Sequence, residues 1–263
     1  MSREYSFVLD EAEIARYRAM AAAAAQAEGD LWELAGIRAG ANIADLGCGP
    51  GILLPLLVER TSPGGSVTAV ERSDDALKAA RSLLRATNLE DKVRIVQADA
   101  TATGLQPSSI DVVMIRNVLM HNGPRLGQIL AHIRDLLAPG GALLSVEAAE
   151  EDIRFSGLTA EEKELEERWI RMMQAQGNDP NIGRTLADLV GGHRFSVIAT
   201  RTHTDQIAVQ RSPAWTARDM IVEKGFASEE DVGRWGAAID HRLRTTGQLR
   251  GEVPFTVVVA RPK

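Results

Sequence analysis

The chain has 263 residues, 44% of them hydrophobic and 25% charged, the composition of an ordinary globular protein with apolar side chains enough for a large core. Its 30 Lys and Arg against 36 Asp and Glu give a formal net charge of −6, which repels a phosphate backbone and argues against nucleic-acid partners. A lone cysteine, Cys48, excludes an internal disulfide and a multi-cysteine zinc site. With no apolar run of about 18 residues and no signal-like start, the expectation is a cytoplasmic protein that does not enter a membrane.

In chain order, Ala21 to Ala25 reads as part of a helix over about 10–28, alanine being the best helix former. A short second helix near 30–35 leads into a strand at 42–46. A glycine loop follows, then a helix over 52–60, a Ser-Pro-Gly-Gly turn and a strand at 67–70. Ser73 is placed to cap the next helix, with Asp74 and Asp75 in its first turn. Strands at 93–96 and 110–115 come next, the latter nearly all apolar, as suits a strand covered on both faces. A helix over 125–137 stops at Pro139-Gly140-Gly141, and a fifth strand runs over 142–146.

Beyond Glu147 the strict alternation ends. Charged helices are predicted over 161–176 and 229–244, with shorter helical stretches at 185–190 and 213–225. Strands are predicted at 195–200 and 255–260. The fold class is α/β: a doubly wound, Rossmann-like parallel sheet with helices on both faces and helical lid insertions late in the chain.

The most informative segment is Asp45-Leu46-Gly47-Cys48-Gly49-Pro50-Gly51, between an apolar strand and a helix. Glycines there permit a tight turn and close approach of a ligand to the backbone. A dinucleotide fingerprint would place its third glycine at position 52, which is Ile52. Asp45 would also repel a pyrophosphate and suits a ligand carrying positive charge. That pattern points away from NAD and toward a sulfonium nucleoside with an amino-acid tail. Glu71 ends the second strand, where a carboxylate can accept from both ribose hydroxyls, with Arg72 beside it. Asp99 follows the third strand, where it can accept from an adenine amino group. The bland alternatives are a strand-end surface acid for Glu71 and a loop or capping Asp for Asp99.

With these residues the chain resembles the class I S-adenosylmethionine-dependent methyltransferases, especially the small-molecule group similar to ubiquinone-biosynthesis C-methyltransferases. The likeness runs over about 37–147. Asp45 to Gly51 matches the first family motif, Glu71 the ribose acid and Asp99-Ala100 the adenine segment. Ile110-Asp111-Val112-Val113 and Leu137 to Gly141 match later motifs, and Asp179 to Arg184 is similar to a lid segment. The resemblance implies a seven-stranded sheet with an antiparallel last strand. It also implies S-adenosyl-L-methionine as cofactor, S-adenosyl-L-homocysteine as product, and a small-molecule acceptor. Asp45, Gly47, Cys48, Gly49, Gly51, Glu71, Arg72, Asp99, Ala100, Arg116 and Asn117 are the implied cofactor contacts. The expected organisation is one domain over 1–263: a helical cap (1–36), a cofactor-binding core (37–147), a lid with the sixth strand (148–252) and the last strand (253–263).

Methyl transfer from a sulfonium needs alignment and exclusion of water, and a base only if the acceptor carries a proton. His121, after the fourth strand, is the base candidate; it could equally brace its loop. Tyr5, Tyr17, Trp32, Trp169, Met172 and Met173 are candidate acceptor-wall residues, with Trp169 beside the Met pair the best placed. Glu147, Glu150, Glu151 and Asp152 read as a solvated acidic edge, and no metal is expected. The competing function is a nucleoside-binding protein that does not methylate, such as a cyclase or a binding module.

Overall fold

The computed structural model describes residues 11–263, with side chains described at Ala19 and from 21 onward. One continuous helix, α1 (Glu11–Ala35), replaces the two predicted. Gly29 weakens a helix interior by only about 1 kcal/mol, and burial of Leu31, Trp32 and Ala35 on the far side of it outweighs that. The alternating part follows: β1 (Asn42–Leu46), α2 (Leu54–Thr61), β2 (Ser66–Glu71), α3 (Asp74–Ala86), β3 (Val93–Gln97), β4 (Ile110–Arg116), α4 (Leu126–Leu136) and β5 (Leu137–Ala148). Ser73 caps α3 by accepting from the Ala76 N–H. Leu137 already pairs with Ile110 before the Pro139-Gly140-Gly141 irregularity, so β5 starts earlier than its apolar run.

The later part comprises β6 (Arg154–Ser156), α5 (Ala160–Ala175), α6 (Leu186–Gly192), β7 (Phe195–Val209), α7 (Pro213–Thr216), α8 (Arg218–Glu223), α9 (Glu229–Thr245) and β8 (Leu249–Pro262). β7 and β8 far outrun the predicted six-residue strands, because their outer halves alternate exposed and buried residues and lack a continuous apolar run. β1 to β5 are parallel in the order β3-β2-β1-β4-β5, and β8 adds antiparallel to β5. β7 lies along the other side of β8. The sheet has eight strands, not seven: β6 pairs with the start of β8 where β5 has ended.

The central strands are buried on both faces. Val112 and Met114 face a core with Trp32, Ile37 and Leu54, while Val113 and Ile115 face one with Ile129, Ile133, Leu165 and Trp169. α1 and α2 therefore cover one face, and α4 and α5 the other. Between β1 and β4 the strand order reverses, opening a crevice at their C-terminal ends.

Behind that crevice α5 and α9 are joined by a buried ion pair. The Arg242 guanidinium makes bonds of 2.8–3.0 Å to both Glu162 carboxylate oxygens and also donates to the carbonyls of Gln210 and Gly247. Removing one member of a buried pair strands the other charge, at a cost of about 3–5 kcal/mol. Arg242→Met is therefore expected to lower the unfolding free energy by about that amount in a urea titration. A loss below about 1 kcal/mol would mean that this pair does not hold the two helices.

At the outer edge, β7 carries a bulge between Val197 and Ala199. Val197 and Ile198 are among the few large apolar side chains exposed there, at 37% and 44%. Among the described residues no strand pairs with the other side of β7.

Candidate functional site

The glycine loop leaves β1 by a sharp turn. The N–H groups of Gly47 and Cys48 both donate to the Val70 carbonyl, at 2.8 and 3.1 Å, so the loop is hung from β2. Gly47 has φ of 78°, and a Cβ there would lie 2.4 Å from a Val118 methyl. Gly49 also has positive φ, but its missing Cβ would meet nothing within 4 Å; that side of the loop is open.

Asp45 is 3% exposed at the end of β1. Burial, reinforced by the nearby Glu71 carboxylate, pushes its carboxyl up to about 7 against the opposing pull of Arg116. Glu71 is oriented by backbone. One carboxylate oxygen accepts from the Arg72 and Ser73 N–H groups at 2.8 and 2.9 Å, the other from the Gly49 N–H at 3.1 Å. At the end of β3, Asp99 accepts from the N–H and hydroxyl of Thr101, and the Arg125 guanidinium donates to the same oxygen. Burial would raise the Asp99 carboxyl, but these donors hold it below its ordinary value.

β4 ends in Arg116 and Asn117. Asn117 has φ of 52°, a conformation that non-glycine residues adopt at local cost, and its buried side-chain oxygen has no partner among the described residues. His121 sits one turn further on, its ring 6.5 Å from that of Trp169. Burial, assisted by the Arg72 charge, lowers its imidazole to about 4.

Asp45, Glu71, Asp99, Asn117, His121 and Trp169 all line one cavity of about 240 Å³ at the C-terminal edge of the sheet. Its polar lip is formed by the glycine loop and the ends of β2 and β3. Its far wall, with Ile153, Trp169, Ile207, Val253 and Phe255, is apolar. The open face of Gly49, the unpartnered Asn117 oxygen and a buried acid beside the loop fit a cationic nucleoside bearing an amino-acid tail.

Residues 43–141 match the methyltransferase domain family. The chain is 26% identical over 194 residues to the ubiquinone/menaquinone biosynthesis C-methyltransferase of Pseudomonas putida, covering 74% of this chain and 68% of that protein. These likenesses support a class I S-adenosylmethionine-dependent methyltransferase domain over that part of the chain. The fold likeness extends to a solved geranyl diphosphate methyltransferase in complex with the same cofactor (TM-score 0.56, 18% identity, 97% of this chain and 92% of that one). It extends equally to a [4+2]-cyclase, SpnF (TM-score 0.53, 18% identity, 90% and 82%). Of another curated relative the chain spans only 30% of the length.

Asp45, Gly47, Cys48, Gly49, Glu71, Arg72, Asp99, Ala100, Arg116 and Asn117 all reach the cavity wall. Gly51 does not: a Cβ there would meet Leu54 at 2.7 Å and Ala80 at 3.0 Å, so that glycine serves packing between the loop and α3. Met172 and Met173 are also absent from the wall; both are buried in the core on the α4–α5 face. Helical periodicity shows that a residue is covered, not whether protein or ligand covers it. Trp32 is core as well, its indole N–H donating to Glu28 at 3.0 Å. Tyr5 and the Tyr17 side chain lie outside the described residues.

The acidic-edge reading fails at Glu147. That residue is fully buried and accepts from the N–H groups of Val118, Leu119 and Met120 at 3.0, 2.7 and 3.4 Å. It thus holds the turn that carries His121. Burial pushes it up to about 7 even against these bonds. Glu151 and Asp152 fit the exposed description, both paired with Arg184.

Sequence reading also missed Glu28. It is buried on α1 and receives Arg116 at 2.7 Å and His203 of β7 at 2.9 Å. Burial alone would raise Glu28, but the Arg116 charge and its three donors hold it below the ordinary range. Asp205, 3.0 Å from the other His203 nitrogen, together with Glu28 raises that imidazole to about 9. The partners are 88 and 175 positions apart, and no local signal links them.

An imidazole near pH 4 is neutral throughout the physiological range and weakly basic. If His121 takes the acceptor proton, the acid limb of the kcat profile should fall below about pH 5. An inflection near 6.5 that disappears in His121→Gln would contradict the depressed value.

Proposed function

We propose that this chain transfers a methyl group from S-adenosylmethionine to a small organic acceptor by in-line displacement. The observation that carries this reading is the convergence of Asp45, Glu71, Asp99, Asn117 and His121 on one cavity at the strand ends. When bound, S-adenosylmethionine supplies a methyl group already activated on a sulfonium. Asp45 balances the ammonium of the methionyl tail, and Asn117 offers its unpartnered oxygen to the same end. Glu71 accepts from the ribose hydroxyls, and the Asp99-Ala100 segment borders the adenine. The apolar far wall excludes water and holds the acceptor in line, which by itself supplies much of the rate. His121 either receives a proton from an acceptor that has one to lose or orients its loop. No described helix is long and apolar enough to span a bilayer.

Calorimetric titration tests the donor half. S-adenosylhomocysteine and S-adenosylmethionine should bind, and NADH should not. An ammonium placed beside Asp45 favours its ionised form, so binding below about pH 7 should release a proton, read from heats in two buffers of different ionisation enthalpy. Affinity should rise with pH and level off once Asp45 is ionised in the free protein. Asp45→Asn should release no such proton. NADH binding in place of the sulfur nucleosides would overturn the reading. A second reading, a nucleoside-binding cyclase, is favoured only by the fold shared with the [4+2]-cyclase, and fold does not fix function. Stoichiometric formation of S-adenosylhomocysteine during turnover separates the two.

A further inference from the structure

Arg116 ends β4, yet its guanidinium does not lie over the glycine loop. One terminal nitrogen donates to Glu28 of α1 at 2.7 Å, and the group rests 4.8 Å above the ring of Phe255 on β8. Phe255 pairs with Ala148 of β5 on one side and with His203 of β7 on the other. With strands about 4.8 Å apart, the guanidinium reaches one to two strands beyond β4, on the side opposite β1, β2 and β3. There it borders the apolar wall that includes Ile207 and Val253. Its other terminal nitrogen is buried and has no hydrogen-bond partner among the described residues. A buried charged donor left unpaired is costly, and guanidinium geometry matches a carboxylate or similar oxyanion. Glu28 is itself held by Trp32 and His203, so the guanidinium is fixed before any ligand arrives.

We propose that Arg116 is the specificity residue for the acceptor: its unpartnered nitrogen donates to an anionic oxygen on an otherwise apolar molecule. This departs from the sequence expectation that Arg116 touches the donor. It rests on the proposed donor site, because the acceptor side is defined as the wall away from Asp45, Glu71 and Asp99.

The test uses the full chain saturated with S-adenosylhomocysteine, titrated with 2-naphthoate and with its neutral counterpart 2-naphthamide. Two variants are compared with the native chain. Arg116→Met removes the guanidinium; Arg116→Lys keeps a charge for Glu28 but loses the second donor edge, and carries the test if the first fails to fold. The native chain should prefer naphthoate to naphthamide, and both variants should bind naphthoate about tenfold or more weakly, the range for a charge-assisted bond. Because the Arg116 charge favours ionised Asp45, the comparison is made well above pH 7, where Asp45 is ionised; there their affinity for S-adenosylhomocysteine should stay within about threefold of native, well short of that loss. Naphthoate that fails to bind, or binds native and variant chains alike, overturns the proposal. So does a tenfold or greater loss of S-adenosylhomocysteine affinity, which would give the nitrogen to the donor's carboxylate. Failure of the native chain to bind S-adenosylhomocysteine at all would instead bring down the donor site beneath it.

Discussion

Glu147→Ala should lower stability by about 3 kcal/mol or more, because it leaves three N–H groups, two of them fully buried, without an acceptor, and each orphaned buried donor costs about 1–3 kcal/mol. For a chain of this size that is a fall in Tm of roughly 6–12 °C. Methyl transfer should fall as well, since the released turn carries Met120 and His121, both on the cavity wall. Glu147→Gln should be milder, because an amide oxygen can still accept at the shortest of the three contacts. The pH dependence gives an independent check. The folded-state carboxyl is raised to about 7, above its ordinary 4.5. Its contribution is therefore fully present below about pH 4.5 and is lost as pH rises through about 7. Melts between pH 5 and 8 should show that decline in the native chain and less of it in Glu147→Gln. Equal slopes would mean that Glu147 is ionised throughout.

Glu71→Ala should weaken S-adenosylhomocysteine about 10- to 150-fold, the equivalent of roughly 1.5–3 kcal/mol for a charge-assisted bond. The structure adds a complication: Glu71 also accepts from Gly49, so the substitution loosens the loop. The two effects separate with the 2′-deoxy form of the nucleoside. If Glu71 holds the ribose, the native chain should discriminate against the deoxy form and Glu71→Ala should not. Unchanged affinity for the parent nucleoside in the variant would remove Glu71 from the site.

The proposed cofactor half of the cavity was legible as a set of lining residues because its groups sit at strand ends. Asp45, Glu71, Asp99 and Asn117 each follow a short apolar run, and a parallel sheet gathers such positions at one edge. The wall proposed for the acceptor was not. Ile207, Val253 and Phe255 come from β7 and β8, and their placement depends on a register between strands some 50 residues apart in the chain. Glu147 stands near acids that are exposed or half-buried, and its full burial on three backbone donors distinguishes it from Glu151 and Asp152. Met172 and Met173 share the spacing of Trp169, yet the indole faces the cavity and the thioethers face the core.

The bulge in β7 bears on how this protein behaves when crowded. A fifteen-residue strand that, among the described residues, is unpaired on one side is a template for recruiting a second chain, and its risk is greatest where apolar side chains are exposed. Val197 and Ile198 are such a place, and the bulge falls there. By breaking the regular spacing of the outward N–H and C=O groups, it denies a second chain an in-register partner along the stickiest stretch of the rim. Regularising that stretch by deleting Ile198 would give a flatter edge, and a protein more prone to self-association.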